Sequence, residues 1–178
     1  MDAATINTVN FIFSLGTLAL MAASLFLLVG IISRDKGPAF SWIARNALPI
    51  IFLTSLAGMA GSLTYQFIGF VPCAFCWYQR IVMYPIVFIS LTALVKRRTA
   101  EIFDYTLVLA VIGAILATWH NVEKLMGRDV LACDAIGASC LQNYVKGFGF
   151  IDIPVMSLVF FIFIILVIAT RKRFRTTS

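Results

Sequence analysis

Residues 47–71 read ALPIIFLTSLAGMAGSLTYQFIGFV, an unbroken run without a single charge. A bilayer core of about 30 Å takes roughly 20 helical residues to cross, so this run is long enough to span with some tilt. Val9 to Ile32 is a second uncharged run, and Ile153 to Thr170 a third. Cys73 to Val95 carries one charge, Arg80, about two turns in; Ile102 to Trp119 carries only Asp104 near its start. The last two runs in the chain are marginal in length, so their ends are expected to reach a turn further out. The composition agrees: of 178 residues, 61% are hydrophobic and 12% charged, with a mean hydropathy of +0.98, far too little polar surface to coat a water-soluble globule. The expected fold is all-α, a polytopic membrane protein of five spans forming one integral membrane domain over 1–178, with no room for a separate soluble domain.

Val9 to Ile32 lacks a positive n-region and is too long for the apolar stretch of a signal peptide, so it is read as a retained helix. Lys and Arg set the orientation. Arg34, Lys36 and Arg45 lie in the first connection, Lys96, Arg97 and Arg98 in the third, and Arg171, Lys172, Arg173 and Arg175 in the tail. A five-span path puts all ten on one side, against Lys124, Arg128 and Lys146 on the other, where Glu123, Asp129, Asp134 and Asp152 balance them. The basic side is therefore expected in the cytoplasm, with the N-terminus outside. Topology accounts for the net charge of +6, and no nucleic-acid partner is needed.

All four cysteines fall on the outer side of this path. Cys73 and Cys76 form a Cys-Ala-Phe-Cys pair at the start of the third span, while Cys133 and Cys140 sit in the segment from His120 to Asp152. Two structural disulfides are the bland interpretation in an oxidising compartment. A bond between Cys73 and Cys76, however, encloses two residues and constrains the unfolded chain little, so the pair is a poor staple and a good redox switch. Pro72 marks a helix start, and the partial positive charge of a helix N-terminus favours thiolates at both sulfurs. The helical period puts Cys73, Cys76, Arg80 and Tyr84 on one stripe. The second pair encloses a run rich in small residues, Ala135, Gly137 and Ala138, which can close or open a disulfide without disturbing a core. Two outward-facing pairs allow thiol–disulfide exchange between them, and four cysteines leave three pairings open.

A guanidinium inside a span costs about 2.5 kcal/mol or more. Arg80 either snorkels to the headgroups or serves as a fixed cation for a thiolate or an anionic ligand oxygen beside Cys76. His120, the single histidine, stands next to Trp119 where the fourth span is expected to meet the outer face, a position that suits a hydrogen-bonding belt residue as well as a functional one. Four cysteines could form a zinc cage, but an oxidising surface with Arg80 beside it argues against a metal. Pro85 is expected to kink the third span, whether to widen a cavity or simply to pack. Gly58, Gly61 and Ser62, with Ala57, offer a small-residue face for close helix contact, and Leu141 to Ile151 is expected along the outer interface. No phosphate cradle, Ser-His-Asp set or paired intramembrane carboxylates is present, which removes nucleotide and hydrolase chemistry.

The run Pro72-Cys73-Ala74-Phe75-Cys76-Trp77-Tyr78-Gln79-Arg80 resembles the Cys-x-x-Cys-x-Tyr-x-Arg signature of the DsbB family of disulfide bond formation proteins, and most of all its shorter-loop BdbC-like bacterial branch. Trp119-His120, the second cysteine pair, and Phe148-Gly149-Phe150-Ile151-Asp152-Ile153-Pro154 extend the resemblance over roughly Leu48 to Thr170. It implies a four-helix core at about 47–170, with an outer loop at about 120–152 and an additional N-terminal helix at about 9–32. It also implies a quinone-coupled relay in the bacterial cytoplasmic membrane. Cys133 and Cys140 would form the shuttle disulfide that accepts electrons from a soluble DsbA-like thioredoxin-fold thiol oxidase, with Cys133 the site of the mixed disulfide. Cys140 would exchange with Cys73, Cys76 would engage a bound quinone (ubiquinone or menaquinone), and Arg80 would stabilise the negative charge that results. His120 matches a histidine near the family's quinone site.

The added front helix departs from that four-helix pattern, and the resemblance assigns it no role. Two rival functions stay in view. A vitamin K epoxide reductase type also couples cysteine pairs to quinone, but there the loop cysteines precede the membrane pair, whereas here they follow it. A non-enzymatic scaffold with two inert disulfides would keep its cysteines in one redox state and tolerate Leu at position 80.

Overall fold

The computed structural model describes residues 3–34, 36–96, 101–127, 141, 145 and 147–176. Six helices account for nearly all of them: α1 (Ala3–Ile32), α2 (Pro38–Arg45), α3 (Ala47–Phe67), α4 (Ala74–Lys96), α5 (Ile102–Met126) and α6 (Ile153–Thr176). Five of these are long and apolar enough to cross a membrane; α2 is not. The chain is a polytopic all-helical membrane protein, as its charge-free runs require.

Consecutive helices α3, α4, α5 and α6 pack as neighbours, and α6 closes back on α3 to complete a ring of four. Large side chains of α6 fill the middle: Phe161, Ile164 and Ile168, at i, i+3 and i+7, are fully buried. Gly113 of α5 makes room for them, because a Cβ there would lie 2.2 Å from the Phe161 ring. α1 stands outside the ring against α6 and is the least buried span. Its outward leucines and phenylalanines, among them Leu25 and Phe26, are exposed, a surface suited to lipid.

The short helix α2 carries no signal in the charge-free runs. Pro38 takes its first turn, where a missing N–H costs nothing. The helix folds back on α6 with Phe40 and Ala44 buried. The Phe40 ring seats on Gly30 and stacks on Phe26 at 4.8 Å, which ties the end of α1 to the following turn. The same end of the bundle collects basic residues. Arg171 donates to the Ala44 carbonyl at 3.1 Å and lies over the Phe103 ring, Arg173 donates to the Ile31 carbonyl, and Lys172 pairs with Asp104 at 2.5 Å.

One boundary differs from expectation. The fourth span, expected to end about a turn beyond Trp119, continues two turns to Met126, where Gly127 in the left-handed region (φ 62°) caps it. The connection to α6 thus starts at Gly127, and His120, Glu123 and Lys124 are helical. α4 stays helical through Pro85, whose side chain does not line the cavity described below.

Candidate functional site

At the end of the bundle opposite the basic cluster, α3 stops at Phe67 and the chain reverses within six residues. Gly69 at φ 97° makes the reversal possible, Phe70 donates its N–H to the Tyr65 carbonyl, and the two rings stack at 5.4 Å. Pro72 and Cys73 follow. The Cys73 carbonyl accepts the Trp77 N–H at 3.2 Å, so Cys73 caps α4 and Cys76 stands in its first turn. The helix N-terminus therefore faces both sulfurs, with the start one residue later than the sequence suggested. Their Sγ atoms are 3.4 Å apart, a contact distance rather than the roughly 2.05 Å of a disulfide bond.

Arg80 does not snorkel. It is 7% exposed, and α3 supplies its acceptors: Nε donates to Ser62 Oγ at 2.8 Å, Nη1 to Gln66 Oε1 at 2.6 Å and Nη2 to the Ser62 carbonyl at 3.0 Å. The Trp77 ring lies 5.3 Å from its guanidinium carbon. Every one of these partners is neutral, and among the described residues no carboxylate pairs with Arg80. The guanidinium is fixed in place, and among the described residues one N–H on each terminal nitrogen has no hydrogen-bond partner. Ser62, expected as a packing residue, is here an Arg80 ligand.

His120 is buried rather than interfacial, at 2% exposure. It projects from α5 toward the cysteine pair, stacked on Phe75 at 5.3 Å, with Nε2 3.9 Å from Cys73 Sγ and Nδ1 3.3 Å from the Gln79 amide nitrogen. A Gln79 N–H donating to Nδ1 leaves the proton of a neutral ring on Nε2, aimed at the Cys73 sulfur. The sequence assigns no role to Gln79, although it stands in the run that resembles the family signature and lies one turn from Cys76 on the same helix. The same holds for Glu123, which is 2% exposed and accepts from the Trp119 indole at 2.7 Å; its charge suggests an aqueous loop. The thiol and imidazole donors of Cys73, Cys76 and His120 lie within 4.8 Å of one another, close enough to chelate a soft cation. Cys133 and Cys140 lie outside the described residues.

Cys73, Cys76, Gln79, Arg80 and His120 share the wall of a cavity of about 500 Å³, within the range of small-molecule sites. Its lining is mostly carbon. Away from the cysteines it is formed by Gly58 and Thr54 of α3, Met83 of α4 and Phe160 of α6, and α1 contributes as well. The segment leading into α6 is anchored beside it: Gly147 and Ile151 exchange backbone hydrogen bonds at 2.8 Å, Val145 and Ile151 are buried, and Phe148 packs its ring on Phe11. Phe148 and Phe150 are exposed, as an interfacial segment would have them.

A scan against protein-family models matches residues 44–170 to the family described as Disulfide bond formation protein DsbB. Among curated proteins, Disulfide bond formation protein C of Bacillus subtilis (strain 168) is 38% identical over 123 residues, 68% of this chain and 88% of that one. The SPbeta prophage-derived disulfide bond formation protein B of the same organism is 39% identical over 113 residues, 63% and 76% of the two chains. The probable disulfide formation protein of Oceanobacillus iheyensis is 36% identical over 124 residues, 68% and 85%. No solved structure matches.

Proposed function

The chain belongs to the DsbB family of disulfide bond formation proteins, and from that premise we propose that it is a membrane dithiol oxidase that draws electrons from a soluble thioredoxin-fold thiol oxidase and delivers them to a membrane quinone. In the overall reaction two partner thiols become a disulfide, and two electrons with two protons convert the quinone to its quinol. The orientation proposed is the one the basic residues favour: cysteine end outside the bacterial cytoplasmic membrane, basic end in the cytoplasm.

A partner thiolate attacks the Cys133–Cys140 disulfide at Cys133, and the partner's second thiol resolves the mixed disulfide, leaving two reduced loop cysteines. Cys140 then attacks the Cys73–Cys76 disulfide at Cys73, releasing the Cys76 thiolate, and Cys133 resolves the mixed disulfide at Cys140, so that the loop disulfide re-forms and the electron pair rests on Cys73 and Cys76. Bound quinone supplies a two-electron, two-proton acceptor. The residues around it suit that group: a carbon-lined cavity for a ring and hydrocarbon, with one fixed cation at its polar end. Arg80 holds positive charge where a reduced oxygen needs it, Cys76 presents its sulfur to the same cavity, and His120 Nε2 gives or takes a proton at Cys73.

The observation that carries this reading is the pairing of the two sulfurs with an Arg80 guanidinium held only by neutral acceptors at the head of one cavity. The test is anaerobic quinone reduction by the purified protein supplied with a reduced thioredoxin-fold dithiol. One quinone consumed per dithiol, with Cys76→Ser and Cys133→Ser both silent, is the expected result. Untouched quinone and cysteines locked against alkylation throughout would leave the inert scaffold as the better account.

A further inference from the structure

The family match begins at residue 44 and leaves α1 outside it, and the ring of α3 to α6 is complete without α1. Yet Phe13, Gly16, Thr17 and Leu20 line the cavity that holds the cysteine pair. Their spacing, i, i+3, i+4 and i+7, is one stripe of a helix. α1 is therefore a wall of the redox cavity.

The cavity is deep. On α3 it is lined from Ser62, a ligand of Arg80, down to Leu53; at 1.5 Å per residue these are roughly 13 Å apart along the helix axis. The α1 stripe runs beside this stretch and shows it no unsatisfied polar group, since the Thr17 hydroxyl donates to the Phe13 carbonyl at 2.8 Å. The cavity is also open at its side. Gly16 of α1 and Leu53 and Ala57 of α3 line it and are at the same time exposed, with Leu53 62% exposed. Near the cysteine end α1 and α3 are shut against each other, because the Phe13 ring covers Gly61, where a Cβ would lie 2.6 Å from it. One turn away the gap opens, and a Cβ on Gly16 would meet nothing within 4 Å.

We propose that the gap between Gly16 of α1 and Leu53 and Ala57 of α3 is a lateral portal through which the hydrocarbon tail of the quinone passes from the redox cavity into the bilayer. This rests on the quinone reading above. A ring at Arg80 with a long isoprenoid tail cannot be enclosed in 500 Å³, and the exit has to be apolar, at membrane depth, and continuous with the ring site. This gap has all three properties. The added helix thus forms one side of the path that a tailed acceptor takes.

The full-length protein is assayed anaerobically with a quinone carrying several isoprene units and with a ring-only quinone, wild type against Gly16→Phe. The expected result is that the ratio of KM for the tailed to the ring-only acceptor rises at least ten-fold. Leu53→Trp narrows the gap from the opposite side at an exposed position, and is expected to raise the same ratio should the Phe variant fail to fold. With a wild type active on both acceptors, a ratio within two-fold of wild type in the folded variants overturns the portal and leaves the quinone reading standing. A wild type that reduces neither acceptor overturns the quinone reading and the portal with it.

Discussion

The His120 Nε2 atom stands 3.9 Å from Cys73 Sγ, two residues 47 positions apart in the chain, and its other ring nitrogen is held 3.3 Å from Gln79. A buried imidazole stacked on Phe75 and held at Nδ1 has one orientation, and that orientation turns Nε2 toward the sulfur. His120→Ala is expected to slow thiol-dependent quinone reduction by about 100-fold, at the low end of what a positioned proton donor or acceptor contributes. Gln79→Leu leaves the ring present but unguided, and a loss of about 10-fold is expected. Single-turnover quinone reduction measures both; equal losses would mean that Gln79 does more than orient the ring.

Arg80 separates charge from geometry. Arg80→Lys keeps a cation but cannot reach Ser62 and Gln66 with one planar fork. Partial activity is expected from Lys and a loss of at least 100-fold from Met, read in the same assay. Gln66→Leu removes one acceptor from a buried guanidinium, and an unmet hydrogen bond of this kind costs about 1–3 kcal/mol. A lowered melting temperature in mild detergent, without added acceptor, is the expected outcome.

Gly113 lets α5 approach α6. A methyl group there would meet the Phe161 ring, which is fully buried and cannot swing aside. Overpacking of this kind costs about 1–3 kcal/mol. Gly113→Ala is expected to destabilise by that amount, and Phe161→Leu in the same chain to recover part of it. Thermal unfolding of the two single variants and the double variant closes the cycle.

Much of this architecture is legible in the sequence because a bilayer punishes charge. The five spans follow from charge-free runs, and the basic cluster at one end from where the Lys and Arg residues interrupt them. Cys73, Cys76 and Arg80 are readable for the same reason: a cation inside a span needs an explanation, and Cys76 stands one turn away and Cys73 two. His120 is harder to place because Glu123 and Lys124 look like the start of an aqueous loop. α5 instead carries both to Gly127, burying Glu123 under the Trp119 indole. The left-handed Gly127 is the available signal, but Gly137 and Gly147 downstream make it one glycine among several. The inward face of α1 is only faintly legible. That helix is apolar nearly all round, and its one mark is a sparse stripe of small polar residues, Ser14, Thr17 and Ser24, all of them buried as a helix-contact face inside a membrane would have them.

Lys124 and Asp152 form an ion pair of a different kind from Lys172 and Asp104. The side chains of the first pair meet at 2.5 Å and are 14% and 17% exposed, while those of the second meet at the same distance but are 48% and 65% exposed. The exposed pair should be worth about 0–1 kcal/mol and fade in salt. Asp152 does more, because its Oδ1 also accepts the Val155 N–H at 3.0 Å and its carbonyl accepts the Met156 N–H at 2.9 Å, which makes it the cap of α6. Loss of such a cap costs about 1 kcal/mol by itself. Asp152→Asn keeps the capping oxygen and gives up the ion pair, whereas Asp152→Ala gives up both. The expected order of melting temperatures is therefore wild type and Asp104→Asn nearly equal, Asp152→Asn lower, and Asp152→Ala lowest. The pair also joins the last turn of α5 to the start of α6, the two ends of the connection that carries Cys133 and Cys140. Asp152→Ala is accordingly expected to slow electron transfer from the loop pair to Cys73 more than Asp152→Asn does, measured by rapid-quench alkylation after addition of reduced dithiol. An Asp152→Ala variant with wild-type stability and transfer rate would show that the helix ends are held by packing alone.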